Sequence, residues 1–276
     1  MSGGARRWAA LAGLGTALLL VAIALPLWIA LVGSVTPEAR LFEQLPFWPR
    51  ELALEHYRAL FAERDFWLPI RNSLVVAGNT TALCLVLGSL CAYALARLRF
   101  RGRTPLLAGI LAISMFPQIS LVAPLFLLLR ALGLIDSYPG LVMPYVTFAM
   151  PLTIWLLVGY FRQLPAELEE AARVDGAGRL RVLVEIVLPL AAPALATTAI
   201  LTFIYCWNEF LFALSFTLGP ERQTVPVAIA LFRGQYQVPW GEVLAAAMVA
   251  TAPVAILALL FQRRIVGGLV TGAVKG

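Results

Sequence analysis

The sequence predicts an all-α integral membrane protein with six transmembrane helices and both termini in the cytoplasm. Three observations carry this. Hydrophobic residues make up 61% of the chain and charged ones only 13%, about half the roughly 25% of a soluble domain. Apolar runs of the roughly 20 residues needed to cross a bilayer recur along the chain. The arginines gather in alternate connectors, as membrane topology requires.

The first span is read at about 9–33. Its apolar run is too long for the core of a secretory signal and no cleavage site is evident, so it is expected to be retained. The second falls at about 71–96. The third, 105–130, is interrupted by "MFPQISLVAP". The fourth is expected at 140–161, the fifth at 190–217 and the sixth at 242–262. A single transmembrane domain over 1–276 leaves no room for a separate soluble one. The 34–70 connector mixes acids and arginines with Phe42, Phe47, Trp48, Tyr57, Phe61, Phe66 and Trp67. It reads as short amphipathic helices, either an interfacial aromatic belt or a docking surface for an extracytoplasmic partner.

Orientation follows from basic residues. Thirteen fall in the odd-numbered gaps (Arg6, Arg7; Arg97, Arg99, Arg101, Arg103; Arg162, Arg173, Arg179, Arg181; Arg263, Arg264, Lys275). Seven fall in the alternate gaps (Arg40, Arg50, Arg58, Arg64; Arg130; Arg222, Arg233). The excess puts 162–189 and the 263–276 tail on the cytoplasmic side.

Several function classes drop out. The net charge of +6 sits in short clusters between apolar runs, which argues against nucleic acid. Cys84, Cys91 and Cys206 show no ligand or disulfide spacing, and one histidine, His56, read as a surface residue, makes no metal site alone. An intramembrane enzyme would want paired catalytic groups within the spans, and an ion-coupled carrier would want ionisable groups at the midplane. Neither pattern is present. A phosphate-cradling G-x-x-x-x-G-K-[ST] loop needs a lysine, and the sole lysine is Lys275. If ATP drives this protein, another polypeptide is expected to bind it.

One stretch breaks the apolar character. Glu167 to Glu185 carries eight charges in nineteen residues. At about 2.5–3.5 kcal/mol per mid-helix charge it cannot lie in hydrocarbon. Pro165 suits a first helical position, Glu167, Glu169 and Glu170 suit the positive end of a helix dipole, and Asp175-Gly176 suits a left-handed stop. Leu164, Leu168, Ala171, Ala172 and Asp175 are expected on one side. A second short helix is expected from Arg179 to Val187. By length and composition alone this is an amphipathic connector.

The spacing is more specific. Glu170-Ala171-Ala172, three residues, Gly176, nine residues, Ile186, one residue, Leu188-Pro189 reads E-A-A-x3-G-x9-I-x-L-P. It resembles the cytoplasmic loop of permease subunits of ATP-binding-cassette (ABC) importers, and the six-span layout extends the resemblance over the chain. "RNSLVVAG", "YALARLRFRGR", "MFPQISLVAPLF" and "FIYCWNEFLFAL" look like the carbohydrate-importing branch, of the maltose-type G subunit. The third-span, fourth-span and tail segments look like the second permease of trehalose importers. Permeases for peptides, amino acids or inorganic ions share the loop.

The resemblance implies a type I importer permease fold and no catalysis in this chain. It implies a coupling helix formed by Glu170, Ala171, Ala172, Asp175 and Gly176, docking on an ATPase, with Lys275 in a second contact through the tail. It also implies partners: a sister permease, two copies of an ATPase that binds ATP and Mg, and an extracytoplasmic sugar-binding protein. No cofactor is expected here. Polar side chains within spans are candidates for the solute path. For a sugar, which needs hydrogen bonds beside aromatic faces, the preferred set is Tyr205, Trp207 and Asn208, with Gln118 and Asn79.

Overall fold

The computed structural model describes residues 3–41, 47–49, 51–232 and 238–273. Every regular element in them is helical: α1 (Gly3–Ser34), α2 (Glu38–Leu41), α3 (Glu55–Ala62), α4 (Trp67–Arg97), α5 (Arg103–Ser114), α6 (Gln118–Ala131), α7 (Tyr138–Phe161), α8 (Glu167–Val174), α9 (Arg179–Val182), a π-helical turn (Leu183–Val187), α10 (Leu188–Leu190), α11 (Ala192–Trp207), α12 (Leu211–Phe216), α13 (Val225–Ala230) and α14 (Trp240–Ala273). Four helices are long and apolar enough to cross a membrane: Leu11–Ser34, Trp67–Arg97, Tyr138–Phe161 and Trp240–Gln262. Two bent pairs, α5 with α6 and Arg179–Leu190 with α11, raise the number to six.

The bends have local causes. Pro117 has no N–H to continue the ladder from α5, so Met115 and Phe116 close back on Ala112 and Ile113 and the chain turns by 90° into α6. The expected interruption at "MFPQISLVAP" is this break. Pro189 cannot donate to the carbonyl of Glu185. The helix widens there, with the Leu188 N–H reaching Leu183. Pro193, in the first turn of α11, cannot bond Pro189, and the axis swings by 81°. The fifth span, expected over 190–217, is therefore shorter. Its helix stops at Trp207, and α12 follows as a separate turn.

The chain divides into two compact units, described separately. One comprises 1–67 and 229–252. In it α1 exposes Leu14, Leu18, Leu19, Leu20, Val21 and Ile23 around its circumference, a surface that only lipid or another apolar surface suits. Glu38 accepts the N–H groups of Trp240 and Gly241 at 3.0 and 2.8 Å and so caps α14. Arg64 pairs with Glu242 and lies over the Phe232 ring. His56 is not at the surface as expected. It is buried with Nε2 2.8 Å from the Thr36 carbonyl, and its ring fills the place a side chain at Gly241 would take.

The other unit, 68–228 with 253–276, holds the main core. Tyr145, Phe148, Phe212 and Phe216 pack with Val76, Cys84, Leu141 and Cys206. A second cluster joins the Ala92–Leu95 end of α4, Ile154–Phe161 of α7 and Val182–Ala191. Cys84 and Cys206 are buried and all three cysteines are free, the packing role expected. Gly88 permits close approach of α4 to α7, since a Cβ there would stand 2.8 Å from Thr153 Cγ2. Thr153 in turn meets Thr202 of α11 at 3.0 Å, a polar contact of the kind that joins membrane helices.

Candidate functional site

The charged stretch folds as α8 followed by a turn. The helix begins at Glu167 behind Ala166, two residues later than Pro165 suggested. Its end is a Schellman stop: the Gly176 N–H bonds Arg173, the Ala177 N–H bonds Ala172, and Gly176 sits at φ 85°. Ala172 and Ala177, the two ends of that stop, both pack on the second core cluster.

A charged anchor holds α8 from behind. Glu169 is 9% exposed. Its Oε1 stands 2.7 Å from Arg97 Nε at the end of α4, an ion contact rather than an aligned hydrogen bond. Its Oε2 accepts from the Tyr93 hydroxyl at 3.1 Å. Arg97 also donates through Nη2 to the Leu164 carbonyl at 2.6 Å, so one guanidinium holds both the helix and its approach. Glu169 and Arg97 retain only 12% and 14% side-chain exposure, where charges interact strongly and neither is easily left alone.

The anchor divides the faces of α8. Ala172 turns inward, while Glu170, Ala171, Asp175 and Gly176 are exposed. The expected single face carrying both alanines is thus split, because the buried side centres on Glu169. Leu168 and Val174, about 120° apart around the helix, are 45% and 88% exposed, so α8 carries exposed apolar side chains as well as charge.

A second feature lies at the break between α5 and α6. A cavity of about 340 Å³ is lined by Leu111, Ser114, Gln118, Phe148, Ala149, Leu152, Trp155, Thr202 and Tyr205. The Gln118 amide donates to the Tyr205 hydroxyl at 2.5 Å. This mixture of apolar walls with a few convergent polar groups is what a small-solute site requires. Of the five sequence-derived path candidates, the structure brings Gln118 and Tyr205 together here. The others lie outside the lining. Trp207 is buried and stacks on Phe203 at 5.7 Å. Asn208 and Asn79 are exposed, and each donates to its own helix, to Ile204 and Val75. Lys275 lies outside the described residues.

Sequence reasoning passed over Trp155 and Ser114, which no motif marks. The Glu209 carboxylate is buried and accepts the Phe212 and Ala213 N–H groups at 2.8 and 3.2 Å, capping α12. Asn72 and Ser73, quoted only as part of a motif, prove to be an anchor. Asn72 donates to the Glu221 and Gln223 carbonyls and accepts from Tyr138, and Ser73 accepts the Val225 N–H. Among the described residues no three His, Cys, Asp or Glu side chains gather as a metal site.

Comparison with known proteins follows the same lines. Residues 84–270 match the family described as binding-protein-dependent transport system inner membrane component. The trehalose/maltose transport system permease protein MalG of Thermococcus litoralis is 47% identical over 226 residues, covering 81% of each chain. The trehalose transport system permease protein SugB of Mycobacterium tuberculosis is 47% identical over 230 residues, covering 83% of this chain and 84% of its own. The sulfoquinovosyl glycerol transport system permease protein SmoH of Agrobacterium fabrum is 39% identical over 250 residues, covering 91% and 88%. Among solved structures, a chain of a bacterial ABC transporter involved in the import of the acidic polysaccharide alginate superposes with a TM-score of 0.82 at 25% identity, covering 95% of this chain and 98% of that one. An all-α multi-spanning fold, an α8 presented on a rigid anchor and these matches agree: the chain belongs to the family of binding-protein-dependent transport system inner membrane components, a multi-pass transport permease.

Proposed function

We propose that the chain is the permease subunit of an ATP-driven importer for a sugar of disaccharide size such as trehalose or maltose. The observation that carries this is α8, a helix stopped by Gly176, tied behind to α4 through Glu169, and exposed at Leu168, Glu170, Ala171, Val174 and Asp175. Such an element transmits a rigid-body push into the packed helices. In this reading the α8 side is cytoplasmic and Glu170, Ala171, Ala172, Asp175 and Gly176 form the coupling joint to a separate ATPase, present in two copies with bound ATP and Mg. A sister permease completes the path, an extracytoplasmic binding protein delivers the sugar, and the tail around Lys275 makes a second ATPase contact.

The cavity at the α5–α6 break is the candidate stretch of path on this subunit. Gln118, Tyr205, Ser114 and Thr202 offer hydrogen bonds, and Trp155 offers an aromatic face. The two permeases 47% identical to this chain, named for trehalose and maltose, support the choice of sugar. Trp207, Asn208 and Asn79 remain candidates outside this cavity.

The test is purification from native membranes in mild detergent, followed by uptake in proteoliposomes. Wild type is expected to bring an ATPase and a second permease, and Gly176→Asp to lose the ATPase or its stimulation. Wild type arriving alone would overturn the coupling reading. Trehalose and maltose should compete for uptake better than sulfoquinovosyl glycerol. Tyr205→Phe is expected to raise the KM for the sugar by up to about tenfold, the worth of roughly one hydrogen bond. An unchanged KM in both Tyr205→Phe and Gln118→Ala would remove this cavity from the path.

A further inference from the structure

Beside α8 lies a different kind of cavity. It measures about 550 Å³ and is lined by Arg97, Arg99, Arg103, Arg173 and Arg179, with Glu169 and Glu170. Arg97 and Glu169 offset each other's charge as an ion pair. Arg99, Arg103, Arg173 and Arg179 have no ion-pair partner among the described residues. The crevice therefore carries a positive surplus, and guanidinium groups converging on one space suit a phosphate, whose oxygens accept paired N–H donors.

The crevice also lies to one side of α8. At 100° per residue, Ala166, Glu169, Glu170 and Arg173 fall on one side of the helix, and Leu168, Ala171 and Asp175 on the other. Of the coupling residues named above only Glu170 lines the crevice, so a partner seated on Leu168, Ala171 and Asp175 faces away from Arg99 and Arg103. Its position at the bilayer surface follows from the chain. Arg97 ends the membrane-crossing α4, and Arg103 begins α5. Phosphate-bearing headgroups are concentrated at that level, and a basic pocket among helix ends on the cytoplasmic side is where anionic lipids bind.

From this we infer that the crevice is a binding site for a phosphate-bearing anion, supplied by the headgroup of an anionic phospholipid of the inner leaflet. The assignment of the leaflet rests on the orientation proposed above. The phosphate chemistry does not.

The test uses the full-length chain with whatever subunits co-purify, delipidated and returned to nanodiscs of phosphatidylcholine with or without phosphatidylglycerol. Bound lipid is counted by native mass spectrometry. Wild type should retain phosphatidylglycerol over phosphatidylcholine. Arg99→Gln and Arg103→Gln should each lower that retention about fivefold, the worth of one arginine near a lipid surface, while keeping the same subunits and ATPase activity. Arg101→Gln, outside the lining, should leave it unchanged. In a second arm, inorganic phosphate or glycerol phosphate is added to phosphatidylcholine discs. Arginine-dependent capture there supports the anion site but assigns a soluble source. Retention equal in wild type and both variants, equal loss in Arg101→Gln, or retention seen only after an ATPase is stripped away would overturn the proposal. Because lipid counting does not depend on ATPase coupling, failure here and failure of the importer reading are separable.

Discussion

The two ends of α4 are fastened differently. At one end Asn72 and Ser73 bind neighbouring backbone and the Tyr138 hydroxyl with neutral hydrogen bonds. At the other, Tyr93 and Arg97 hold Glu169 of α8 with a charge pair. Neutral bonds to backbone fix a loop whose position is set once. A nearly buried charge pair fastens a separate helix, and its cost when half-broken is far larger than its net worth when whole. Under the proposed reading, that fastening would let α8 and α4 move as one body.

Breaking the charged end should have the largest effect. Arg97→Ala strands the Glu169 carboxylate and frees Leu164, with an expected loss of about 3–5 kcal/mol. Thermal unfolding and sugar-stimulated ATPase activity should both fall. Replacing both partners, Arg97→Met with Glu169→Met, should recover much of the stability, because no lone charge remains. If the double variant is as unstable as the single, the comparison is wrong. At the neutral end, Asn72→Ala leaves buried polar groups without a partner and should cost about 1–3 kcal/mol. Its unfolding midpoint should fall while ATPase coupling in the surviving fraction stays normal. Loss of coupling as large as in Arg97→Ala would erase the contrast. The smallest effect is expected for Gly176→Ala. Space around Gly176 is open, so only the left-handed backbone opposes the side chain, at about 1–2 kcal/mol. That strain should appear as faster hydrogen exchange in Ala172–Ala177, with global stability little changed.

What was readable from sequence follows what each feature depends on. Spans depend on composition and length, so α4, α7 and α14 fall close to where apolar runs placed them, and Pro117 marked its break. Gly176 was readable because a left-handed stop requires a particular residue. The buried side of α8 was not. Its amphipathic pattern set Leu168 and both alanines on one side, and only the long-range meeting with Arg97, 72 residues earlier in the chain, turns Glu169 inward and divides them. His56 was misread for the same reason, since its burial depends on Gly241 lying opposite. In the cavity, Gln118 and Tyr205 were marked as polar groups in apolar runs. Trp155 and Ser114 carry no such contrast and needed the fold to bring them alongside.

The route from α8 to α11 is not a straight rod. It passes through a widened turn at 183–187 and then swings through 81° at Ala191. A thrust delivered at one arm of such an elbow emerges at the other as a sweep rather than a slide. Under the proposed reading, a small displacement of α8 would act as a crank. The Ala192 end of α11 would be the pivot, and Thr202 and Tyr205, further along that arm, would travel farthest.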